Sequence, residues 1–189
     1  MRASGRGAPG YRERVARGIL SSIFSFLFPS RTPARTAAPA PSGGLDTPGR
    51  AGAAATVEID PPGRHALRIT YAPVRDAVPD AGEVVWTWVP YAERDGRGKD
   101  RPVLVIGRRD ADTVYAVKLT SKAHDGQRDF LPIGSGPWDA QGRPSWVDVD
   151  QFYLVHRKGM RREAAALDLD RFTRIAAELH RRYGWAVGN

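Results

Sequence analysis

The chain has 189 residues, a net charge of +8, 41% hydrophobic residues and no cysteine. That length fits one domain with attachments, and the lack of cysteine excludes disulfides, thiolate metal sites and a cysteine nucleophile, and fits a reducing cytoplasm. Residues 1–55 carry eight arginines against Glu13 and Asp46, a net of +6, while residues 56–189 carry 21 basic and 19 acidic side chains, a net of +2, so a nucleic-acid role for the second part must rest on particular residues rather than bulk charge.

Residues 11–28, YRERVARGILSSIFSFLF, place Tyr11, Val15, Ile19, Ile23 and Phe26 at helical spacing, with the arginines in the first half. This predicts one amphipathic helix. Its mainly apolar part, Ile19 to Phe28, is too short to span a bilayer, which takes about 20 residues. Three readings fit it: a helix that docks on the domain or a partner, an interfacial membrane helix, or a signal-like apolar region behind a basic start. Residues 29–55 are rich in Pro, Ala, Gly, Thr and Ser and read as a disordered linker. Residues 1–55 together form an N-terminal extension.

Residues 56–80 hold two alternating stretches, TVEID and HALRITYAPV, split by Pro61-Pro62-Gly63. They predict lead-in strands, as a hairpin or an arm. From Gly82 the strand signals become dense. EVVWTWV (83–89) puts Trp86 and Trp88 on one face and Val85, Thr87 and Val89 on the other. A charged loop follows over 91–100, then PVLVIG, DTVYAVKLT (112–120), a polar loop (121–129), FLPIG and the longest strand, SWVDVDQFYLV (145–155). Short strands joined by polar turns predict an antiparallel barrel or a strongly bent sheet. A closing helix has Asp168 or Asp170 as its cap, an apolar stripe of Leu169, Phe172, Ile175, Ala176, Leu179 and Tyr183, and Gly184 as its stop.

Three places hold side chains suited to chemistry. Arg101 precedes Pro102, and a residue before proline is held extended. A proline suits the first position of a strand. A guanidinium fixed where a loop meets a sheet suits phosphate recognition; the alternative is an ion pair with Asp100 or another loop carboxylate. In VDVD (147–150), alternation places Asp148 and Asp150 on one face, about 7 Å apart. Two such carboxylates suit acid–base work, or else form a solvated face. Around the end of the strand 112–120, Lys118, Thr120, Ser121, Lys122 and His124 gather hydroxyls, ammonium groups and an imidazole. These either cradle a phosphate or make a polar turn. The four histidines have no metal-ligand spacing, and no phosphate-binding glycine loop or nucleophile elbow is present. A reaction without metal or cofactor is favoured.

GEVVWTWVPY, a charged loop, RPVLVIG, VKLTS, VDVDQ and the final helix, in that order over about residues 81–185, resemble the PemK/MazF family, the toxins of type II toxin–antitoxin modules. The resemblance implies an SH3-like β-barrel with a C-terminal helix (the architecture of the CcdB/PemK/MazF-like toxins), working as a homodimer. It implies metal-independent cleavage of single-stranded RNA, often mRNA, by attack of a 2′-hydroxyl to leave a cyclic phosphate. An intramolecular nucleophile explains how that chemistry proceeds without a metal. Arg101 corresponds to the family's transition-state stabiliser or acid, Thr120 to the hydroxyl beside the phosphate, and Asp150 to a base found in some members. Lys99, Lys118, Ser121, Lys122, His124 and Asp148 are supporting candidates. Two departures stand out: Asp148 occupies a place that is basic in some members, and the loop before Arg101 has no histidine. The implied partner is a disordered acidic antitoxin lying over the groove, with operator DNA bound only through that complex. The implied location is the cytoplasm; the interfacial reading of the helix over residues 11–28 would add contact with the membrane surface. The competing expectation is a barrel that only binds, like the related gyrase-poisoning toxins.

Overall fold

A computed structural model describes residues 47–73, 79–93 and 95–188. The chain divides after Ala38 into two units, and the described residues belong to the second. The helix expected over 11–28 lies outside them. No helix among the described residues is long and apolar enough to cross a membrane.

The fold is mainly β with one C-terminal helix. The strands are β1 (Val57–Ile59), β2 (Arg68–Thr70), β3 (Glu83–Pro90), β4 (Gly98–Arg108), β5 (Thr113–Thr120), β6 (Phe130–Gly134), β7 (Ser145–His156), β8 (Met160–Ala166) and β9 (Ala186–Gly188). The helix α1 spans Leu169–Tyr183. An antiparallel sheet runs β1-β7-β5-β4-β3-β8, with β6 also on β7, and β2 and β9 form a separate parallel pair.

The unbroken apolar run Val103–Ile106 is explained by burial on both faces of the sheet. Leu104 and Ile106 join Val84, Leu119, Val147 and Phe152 in a large core beneath α1, completed by Phe172, Ile175, Leu179 and Trp185. Val103 and Val105 point the other way, into a smaller cluster with Val85, Val89, Val114, Ala116, Tyr153 and Val155. Period-two alternation sends neighbours to opposite faces, so a strand with two buried faces shows no polar alternation.

Several expected boundaries move. The stretch 91–100 is not all loop: β4 begins at Gly98 and pairs with β3 from Pro90↔Gly98 onward. The two lead-in strands do not pair with each other as a hairpin: β1 pairs with β7 and β2 with β9, and Leu67 and Ile69 enter the large core. The C-terminal part of the expected linker is packed on the sheet. Thr56 and Thr87 share a buried hydroxyl contact of 2.6 Å, and Thr87 donates to the Gly159 carbonyl at 2.7 Å. Gly49 has φ +82, and a Cβ there would lie 2.3 Å from Thr87 Oγ1 and 2.5 Å from the Gly159 carbonyl oxygen. Small residues in this segment thus permit close backbone approach rather than disorder.

In α1 the cap is Asp168, whose carboxylate accepts the Arg171 N–H at 2.9 Å, and Gly184 ends the helix at φ +71. Leu169 departs from the expected stripe and is 54% exposed, because it sits in the first turn, ahead of the core-facing positions. Beyond the stop, Trp185 returns to the core and donates to the Pro62 carbonyl at 2.9 Å.

Candidate active site

The β4–β5 ladder begins at Val103↔Lys118. Pro102 has no N–H to offer a partner, and the pairing starts one residue after it. Continuing that register by two residues brings Arg101 opposite Thr120, where the two strands have parted. On its other side Arg101 pairs with Thr87 of β3, fully buried. Arg101 is therefore a strand residue on a rigid backbone, at an edge that opens onto a cavity of about 380 Å³.

Lys99, Arg101, Thr120, Ser121 and Lys122 all line this groove, over a base that includes Trp86, Trp138 and Ser145. The groove also receives Asp100, Asp139 and Arg143. Asp100 is engaged by Arg161, Nη1 to Oδ1 at 3.2 Å and Nη2 to Oδ2 in a shorter contact. The adjacent Arg101 has no ion-pair partner among the described residues, so the expected alternative of an Arg101–Asp100 pair is not what forms. Asp139 Oδ2 accepts from Arg143 Nε at 2.8 Å. The Thr120 side chain accepts the Lys122 N–H at 3.2 Å, a turn that folds the end of β5 over the groove.

Four predicted residues do not line it. Asp148 and Asp150 do not share a face. The register of β7 shifts so that Lys118 alone spans the four residues between Val147 and Phe152. In this bulge Asp148 is 4% exposed. Its Oδ1 accepts the N–H groups of Asp150 and Gln151 at 3.0 and 3.3 Å, and its Oδ2 lies 3.1 Å from Lys118 Nζ. Asp150 instead points outward, where Tyr183 OH donates to it at 3.3 Å. A bulge breaks the period-two rule, which sequence alternation could not anticipate. Lys118 also donates to Gln151, as does Tyr153 OH at 3.3 Å. Burial, then the nearby Glu58 and Asp148 charges, push the Tyr153 phenol well above its usual range, against an opposing pull from Arg101. His124 stacks on Phe130 with centroids 3.6 Å apart and contacts Gln127 at 3.0 Å. Its role in the structure is to hold the loop.

Sequence reasoning passed over Asp139 and Arg143, which sit in a Pro/Gly-rich turn with no motif of its own. Trp138 Nε1–H donating to Ser145 Oγ at 3.1 Å seats that turn at the mouth of β7. Among the described residues no group of three or more His, Cys, Asp or Glu side chains could hold a metal ion.

A family model described as "PemK-like, MazF-like toxin of type II toxin-antitoxin system" matches residues 80–182, just over half of the chain. No curated protein matches it. Similar solved structures include a MazE–MazF crystal structure from Deinococcus radiodurans (20% identity, 59% of this chain, 100% of that one, TM-score 0.43). A MazF structure from the same organism is similar at 22% identity, covering 58% of this chain and 99% of that one, TM-score 0.44. The Mycobacterium tuberculosis toxin MazF-mt6 is similar at 16% identity over 55% and 97%, TM-score 0.42. With residues 80–182 matched throughout, the chain belongs to the PemK-like, MazF-like toxins of type II toxin–antitoxin systems.

Proposed function

We propose that this toxin is a metal-independent endoribonuclease that cleaves single-stranded RNA in the groove between β4 and β5. The observation that carries the reading is Arg101: held in a strand, opposite Thr120, with its neighbouring carboxylate taken by Arg161. In the reaction the 2′-hydroxyl gives its proton to solvent water as its oxygen bonds to the adjacent phosphorus, and the bond to the 5′-oxygen breaks, leaving a cyclic phosphate and a 5′-hydroxyl. Arg101 neutralises the pentavalent phosphorus, where charge develops. The Thr120 and Ser121 hydroxyls donate to its oxygens, and Lys99 or Lys122 hands a proton to the leaving oxygen. The reading includes an SH3-like barrel working as a homodimer in the cytoplasm. It also includes an acidic antitoxin segment competing with RNA for Arg101, and membrane-surface contact through residues 11–28.

The full chain, with and without Arg101→Ala, is incubated with a long single-stranded RNA in EDTA. Discrete cuts with cyclic-phosphate ends, reduced 100-fold or more in the variant as for loss of one preorganised donor, are expected. Intact RNA from folded wild-type protein overturns the reading.

One observation favours a second reading, a barrel that binds without cutting. The groove's two carboxylates, Asp100 and Asp139, are each held by an arginine, and Asp150 and His124 stand outside it. Among the described residues the groove then offers no unpaired carboxylate or imidazole to take the 2′-hydroxyl proton. Retained antitoxin binding without RNA cleavage is the outcome that selects this reading.

A further inference from the structure

The turn between β6 and β7 carries an arginine fixed at the groove by its own carboxylate. Asp139 is held from several sides. Its N–H donates to the Gly136 carbonyl at 3.1 Å, and its carbonyl accepts from Gly142 at 2.8 Å. Its Oδ1 accepts the Gln141 N–H at 2.8 Å, and its Oδ2 takes Arg143 Nε at 2.8 Å. Ser135 Oγ closes the turn by donating to the Gly142 carbonyl at 2.7 Å. With both carboxylate oxygens engaged and the side chain only 9% exposed, Asp139 orients Arg143 rather than exchanging protons. The Arg143 side chain is 53% exposed, and its two terminal nitrogens have no partner among the described residues.

A guanidinium bound through Nε presents its remaining donors as a flat fork. Such a fork matches two acceptors side by side, as on the O6/N7 edge of guanine or on a phosphate. In single-stranded RNA the bases are unstacked and that edge is open to side chains. Arg101 already supplies a phosphate-binding guanidinium to the same groove. We propose that Arg143, positioned by Asp139, is a base-reading residue that selects guanine at one fixed position of the bound RNA strand. This rests on the reading of the groove as an RNA site.

Two measurements on the full chain keep the two ideas apart. The first compares kcat/KM on short RNA oligonucleotides that differ at one position, guanine, 7-deazaguanine (which lacks the N7 acceptor) or adenine. The second measures binding of the same series with 2′-O-methyl sugars, which cannot be cut. Wild type is expected to favour guanine over both others by roughly 10- to 100-fold. Arg143→Ala should remove that preference, with a loss on the guanine oligonucleotide at least about tenfold larger than any loss on the adenine one. Asp139→Asn should erode the preference without abolishing cleavage. A uniform loss across the series, with a shallower salt dependence, assigns Arg143 to a phosphate and overturns the proposal, as does an unchanged preference. Guanine-selective, Arg143-dependent binding without any cleavage supports the proposal while sinking the ribonuclease reading.

Discussion

Arg161 of β8 grips the Asp100 carboxylate of β4 across β3 with both terminal nitrogens, while Arg101, the next residue, lines the groove with no ion-pair partner among the described residues. The order of strands β4-β3-β8 places these side chains within reach. Paired arginine–carboxylate forks are strong and directional, so among the described residues the three charged groups form one pair and one cation without an ion-pair partner.

Removing Arg161 should therefore harm the groove indirectly. Arg161→Ala frees Asp100 beside Arg101, and cleavage of single-stranded RNA is expected to fall about tenfold, equivalent to ~1.4 kcal/mol. Adding Asp100→Ala should restore most of that loss. A double variant no better than the single one would mean that Arg161 itself touches RNA.

The Asp148–Lys118 pair lies inside the β7 bulge, two residues from Thr120. Asp148→Asn keeps a side-chain oxygen for the bulge N–H groups and leaves the Lys118 ammonium without its carboxylate, held by Gln151 alone. Breaking a buried pair from one side costs on the order of 3 kcal/mol, reduced here because Lys118 is 21% exposed. About 2 kcal/mol is expected in urea unfolding. Asp148→Ala loses both contacts and should cost more than the asparagine variant; equal losses would show that the bulge does not depend on the carboxylate.

Gly49→Ala tests whether the segment before β1 belongs to the folded unit. The left-handed backbone and the 2.3 Å approach to Thr87 Oγ1 forbid a Cβ without displacement. A loss on the order of 2 kcal/mol is expected, with the Thr56–Thr87–Gly159 hydrogen bonds disrupted. An unchanged midpoint in thermal unfolding would detach residues 47–55 from the fold.

Glu178 on α1 is bound by Arg181 and Arg182. The hydrogen bond from Arg181, with Arg182 behind it, pulls its carboxyl from 4.5 to about 2. A depressed carboxylate stabilises the folded chain fully above the unfolded value and loses that contribution as pH falls through the folded one. The stability gap between wild type and Glu178→Gln should be complete above about pH 4.5 and vanish near pH 2. Its size should be on the order of 1 kcal/mol, as for a partly exposed ion-pair network. A gap independent of pH would assign the effect to packing.

Local signals determined a good deal. Alternation located the opening strand and the long strand at 145–155, the stripe with Asp168 and Gly184 located the helix, and the order of motifs pointed to the toxin family. Arg101 and Thr120 could be singled out because a residue before proline and a hydroxyl at a strand end are local features. What required the folded chain was every relation between distant segments. A bulge four residues deep sent Asp148 inward and Asp150 outward, since register depends on the neighbouring strand and not on the strand's own sequence. Which arginine would claim Asp100 depended on the strand order that brings Arg161 across from it, 61 residues away. The same holds for Arg143: its turn carries no motif, and only the closure of β6 against β7 carries it to the groove where Arg101 waits.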